Sequence, residues 1–120
     1  MSELTGPVIV VNDNTEAAQS LLASFQSNGW DCLSAENLDQ LKNICTDPLN
    51  QPIIFTAEYL RNRKLDNDAI AKLCSYYLVV IAMDNQASGN EAQFFRLGVS
   101  DILESDLAQR DIPQLLKRLS

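Results

Sequence analysis

The chemistry open to this chain is bounded first by a residue type it lacks: among its 120 residues there is no histidine. That excludes Ser-His-Asp and Cys-His nucleophile pairs and any zinc site that needs imidazole. The three cysteines, Cys32, Cys45 and Cys74, have no C-x-x-C spacing and sit in apolar contexts. They read as buried free thiols rather than a redox or metal centre, which fits a cytosolic compartment. The polar triplet Asn12-Asp13-Asn14 closes an apolar run but offers no Gly-rich phosphate loop. Nine Lys+Arg against 16 Asp+Glu leave a net charge of −7. Nucleic-acid binding through phosphate neutralisation is therefore not expected, because it needs a basic face.

The elements that position these residues alternate in type. Pro7–Val11 is a continuous β-branched run suited to a strand buried on both faces. Thr15–Ser27 then places Ala18, Leu21, Leu22 and Phe25 on one helical face, and Asn28-Gly29 ends it. Trp30–Ser34 reads as a second strand and Asn37–Cys45 as a second helix. Ile53–Thr56 reads as a third buried strand. A polar loop carrying Arg61-Asn62-Arg63-Lys64 leads into a helix over Asp68–Ser75, then a fourth strand over Leu78–Ala82. Ser88 and Glu91 have the spacing of a capping box ahead of a helix that Gly98 ends. Ile102-Leu103 is the fifth strand, and a last helix runs from about Leu107 or Asp111 to Leu119, with Pro113 in its first turn. Five buried strands alternating with five helices predict one doubly wound parallel α/β domain spanning the chain, its core over about residues 7–119. No apolar run has the roughly 18–20 residues a membrane span needs, and the N-terminus is not a signal peptide.

The order of the motifs resembles the receiver domain of bacterial response regulators, a CheY-like fold. Val8–Asn14 is similar to that family's first strand and acidic pair, and Gly29–Asn37 to its passage through the second strand. Phe95-Arg96-Leu97-Gly98-Val99-Ser100-Asp101-Ile102-Leu103 is similar to its entry into the fifth. The resemblance implies strand order 2-1-3-4-5. It also implies phosphoryl acceptance by an aspartate ending the third strand, with Mg²⁺ held by an acidic pair. Here the matching positions depart from the pattern. The pair is Asn12-Asp13, the acceptor position is Thr56 or Ala57 (Ala57 favoured), the fourth-strand hydroxyl position is Ala82 or Met83, and the Lys-Pro step is Ser105-Asp106. An acyl phosphate requires a carboxylate, so the resemblance implies a degenerate receiver without receiver chemistry.

Glu58, one residue past the favoured acceptor, has a sharp reading as a shifted acceptor or built-in charge. Its bland reading, a solvated strand exit, is preferred. Asp13 alone is a weak metal ligand, so neither Mg²⁺ nor any other cofactor is expected. Asn12 and Asp13 are expected to hydrogen-bond nearby loop amides. The basic run reads as solvated surface offsetting Glu58, Asp66 and Asp68. Tyr76-Tyr77 reads as a corner with one ring buried. Phe94 and Phe95 cannot share one helical face, and with Ile102 and Leu103 they mark a possible interaction or homodimer face through the fourth helix, fifth strand and fifth helix. The expected function is regulation by protein–protein contact, with a partner or an attached effector and without enzymatic activity. The alternative is a small-ligand sensor using a pocket vacated between Asn12, Ala57 and Ala82.

Overall fold

A computed structural model describes residues 4, 6–13, 15–84, 86–87, 89–103, 114 and 117–119. Its strands are β1 (Val8–Val11), β2 (Cys32–Ala35), β3 (Pro52–Thr56), β4 (Leu78–Ala82) and β5 (Asp101–Leu103). Between them lie α1 (Thr15–Ser27), α2 (Leu38–Ile44), α3 (Ala57–Asn62), α4 (Asn67–Tyr76) and α5 (Glu91–Arg96). All pairings are parallel and the sheet order is β2-β1-β3-β4-β5. The predicted doubly wound order is the observed one.

Strand alternation splits the core into two layers. Ile9, Val11, Ile53, Phe55, Val79, Ile81 and Ile102 point to the layer covered by α2, α3, α4 and α5. Val8, Val10, Ile54, Val80, Ala82 and Leu103 point to the other, where Phe25, Leu21, Leu22, Trp30 and Leu119 cover them. Both faces of the central strands are thus dry, which is why β1 and β3 read as unbroken apolar runs. β2 departs from the expectation of five buried strands. It is the sheet's edge, and Leu33 is 41% exposed.

The largest difference from the sequence reading lies after β3. The expected polar loop is instead the helix α3, and the basic run forms its end. Thr56 starts it: its backbone is extended and its hydroxyl accepts from the Tyr59 amide at 3.1 Å. Arg63 is the C-cap, and Lys64 follows with φ +52°. The apolar pair Tyr59 and Leu60 is buried beneath this helix, a period too short to read from sequence against the basic residues beside it.

α5 also starts later than expected. Asn90 is its N-cap residue, without a side-chain cap bond, so Glu91 opens the helix rather than closing a capping box. Ser88 lies outside the described residues. At the other end Gly98 has φ +106°, and a Cβ there would stand 3.0 Å from the Cys74 Cβ. Only glycine makes that turn without strain. The expected last helix falls largely outside the described residues, as do Pro113 and the side chain of Ala18.

Candidate functional site

In a doubly wound sheet the functional edge is the carboxyl end of the strands. Asn12 follows β1 there, with its amide donating to the Ala35 carbonyl at 3.0 Å, so it extends the ladder one step past Val11. Thr56 is one step past the Val11–Phe55 pair and lies in register with Ala82. Thr56 therefore ends β3 and Ala57 opens α3, packed into the core with Met83. The one hydroxyl at the end of β3 is occupied as a helix cap. Ser105 lies outside the described residues.

Two of the acids at this edge, Asp13 and Asp84, are each paired with an arginine from the end of α3. The Arg61 guanidinium donates to both oxygens of Asp84, at 2.9 and 2.5 Å, bridging α3 to the segment after β4. Asp84 Oδ1 also accepts from the Ala87 amide at 3.0 Å. Hydrogen bonding to Arg61 is the chief cause that holds the Asp84 carboxyl below its ordinary range. Arg63 Nε lies 3.5 Å from Asp13 Oδ2, and Asn62 donates to Asp13 Oδ1 at 3.4 Å. Arg63 in turn stacks over the Tyr59 ring, 5.7 Å from its centroid. Tyr59 itself leans on Phe55 at 6.1 Å. Burial pushes its hydroxyl pKa up, though Arg63 opposes this. The basic run is exposed, as expected, and Arg61 feels the charge of Glu58, but its two arginines also reach across the sheet edge. It is a clasp across β1 and β4.

Two expectations about neighbouring side chains are corrected. Asn12 is 2% exposed, and its side-chain nitrogen and oxygen have no hydrogen-bond partner among the described residues. Among the described residues it bonds no loop amide. Glu58 is not a solvated strand exit. It sits half-buried in the first turn of α3, and its Oε1 is buried without a hydrogen-bond partner among the described residues.

The expected interaction face is also reduced. Leu103 is fully buried and Ile102 nearly so, because β5 is packed on both sides. Phe94 packs against the core while Phe95 is 49% exposed. Of these four residues, Phe95 is the most exposed, and Phe94 is half-buried. The three cysteines are free and partly buried rather than fully so. Burial, with Asp31 adding to it, raises the Cys32 thiol to about 11, which leaves it protonated and unreactive at neutral pH.

Asp13 and Asp84 are already ion-paired, and neither Thr56 nor Ala57 offers a carboxylate. No group of three or more acids or cysteines poised for a metal occurs among the described residues. Nor do Asn12, Thr56 and Ala82 line either of the two cavities that flank α4; Ala57 alone borders the smaller one.

No family model matches the chain, and no curated protein matches it in sequence. Solved structures do. Full-length FixJ from B. japonicum superposes with a TM-score of 0.73 at 15% identity, over 97% of this chain and 58% of FixJ. A response regulator receiver domain protein from Clostridium thermocellum gives 0.73 at 15% identity, over 93% and 91% of the two chains. A response regulator protein from Burkholderia pseudomallei, solved with a phosphorylated aspartic acid, gives 0.64 at 17% identity, over 94% and 65%. With its parallel order β2-β1-β3-β4-β5 and helices on both faces, this chain has the CheY-like fold of response regulator receiver domains.

Proposed function

We propose that the chain is a signalling module of receiver fold that works by protein contact, without phosphoryl transfer and without Mg²⁺. The observation that carries this reading is the pairing of Asp13 and Asp84 with Arg63 and Arg61. In a phosphorylatable edge the acids must be free to hold a divalent cation, whose charge offsets the incoming phosphoryl group. Here two guanidinium groups of the chain take that electrostatic place, and no carboxylate stands at Thr56 or Ala57 to accept phosphorus. The Burkholderia pseudomallei neighbour carries a phosphorylated aspartic acid. This chain is read as keeping the scaffold and replacing the chemistry with fixed charge.

The test is a two-dimensional amide NMR spectrum recorded with Mg²⁺ and beryllofluoride, a phosphoryl mimic. The resonances of Asn12, Asp13, Ala57 and Ala82 are expected to stay in place. Saturable movement of that set would overturn the reading.

A further inference from the structure

The side of α4 that faces α2 carries apolar residues beyond those packed into the core. One stripe, Ile70, Leu73, Cys74 and Tyr77, packs inward. A second, Ala69, Lys72, Leu73 and Tyr76, follows the i, i+3, i+4, i+7 spacing of another contact face. Together with Leu38 and Lys42 of α2 it walls a half-open trough of about 590 Å³. Tyr76 is 59% exposed. The trough lies between two helices, and its stripe of seven residues' rise spans about 10 Å, two helical turns.

Its charge is the reverse of the molecule's. In a chain of net charge −7, the trough carries one lysine on each wall. Neither Lys42 nor Lys72 takes part in an ion pair among the described residues. Asp39 and Asp68, about one turn away on the same helices, form none with them.

We propose that the trough between α2 and α4 docks an amphipathic helix of a protein partner, with its apolar stripe on Leu38, Leu73 and Tyr76 and acidic residues on its flanks. A helix laid in a groove between two helices buries such a stripe through the same i, i+3, i+4, i+7 anchors. Cations on opposite walls match acids on both flanks of a helix, whereas a single anionic headgroup would need both at one end. A second copy of this chain brings a charge of −7 against −7, which disfavours self-docking. The inference names the contact surface for signalling by protein contact and rests on that reading.

Selection of peptides of about 15 residues from a displayed library, long enough to form a helix on binding, tests it against the full chain. Enriched peptides are expected to carry an apolar i, i+3, i+4, i+7 stripe flanked by Asp or Glu and to move the amide resonances of Ala69 and Leu73. Reversing both wall charges in K42E/K72E should weaken them about tenfold, as two screened ion pairs allow. Tyr76→Glu should abolish them, with circular dichroism confirming that both variants remain folded. No enrichment, or peptides that bind the variants undiminished, would overturn the proposal. So would displacement of the peptides by palmitate, or a concentration-dependent dimer that Tyr76→Glu dissolves. Neither lysine belongs to the strand-end residues, so beryllofluoride binding and peptide binding fail independently.

Discussion

At the scale of single residues, the proposed reading rests on ion pairs and on one buried amide. Asp84 reports its ion pair through pH dependence. Its folded-state pKa lies below the ordinary value, so the stability it contributes is present above the unfolded pKa, about 3.9, and is lost as pH falls through the depressed folded value. Both partners are more than a third exposed, which limits the pair to about 0.5–1 kcal/mol after solvent screening. Asp84→Asn should therefore lower the unfolding free energy by about that much at pH 7, a loss that fades below pH 4; urea titrations at both pH values measure it. Asn12 predicts the opposite sign. A buried amide with neither donor nor acceptor satisfied costs about 1–3 kcal/mol, and leucine has nearly the same shape. Asn12→Leu is expected to raise stability by about 1 kcal/mol in the same assay, while a loss would show that the amide has a partner in solution.

At the scale of elements, α3 decides the character of the edge. Six residues long, it depends on its cap and on Tyr59 and Leu60 beneath it rather than on intrinsic helicity. Thr56→Ala removes the acceptor for the Tyr59 amide and should cost about 1 kcal/mol. Coupling measured in a double-mutant cycle with Asp84→Asn would show that the cap positions the Arg61 bridge. α3 also marks where the sequence stopped being legible. The other elements announced themselves through apolar runs or a 3.6-residue period long enough to recognise, and α1 and β4 have the bounds their patterns imply. A single turn and a half ending in Arg61-Asn62-Arg63-Lys64 carries too few apolar positions for a period. Its basic residues therefore read as solvated loop. Their acidic partners, Asp13 and Asp84, are 50 and 23 positions from Arg63 and Arg61. Nothing local in the sequence pairs them. The chemical departures at Asn12, Thr56, Ala57 and Ala82 were legible because they rest on residue identity. What fills the space they leave was not, because that depends on contacts between distant segments.

At the scale of the whole molecule, the sheet order sets where function can lie. The carboxyl ends of β1, β3 and β4 converge on one edge, and the chain closes that edge with its own arginines. The exposed apolar features among the described residues include Phe95 on α5 and the proposed docking trough beside α4. In the proposed reading, a scaffold that in the Burkholderia pseudomallei neighbour carries a phosphorylated aspartic acid serves here as a contact surface. The most direct test is intact-mass analysis of the chain after prolonged incubation with acetyl phosphate and Mg²⁺. The mass is expected to remain that of the unmodified chain. A stoichiometric gain of one phosphoryl group, mapped to Glu58 or to any other carboxylate at the strand ends, would contradict a receiver fold that signals without phosphorylation.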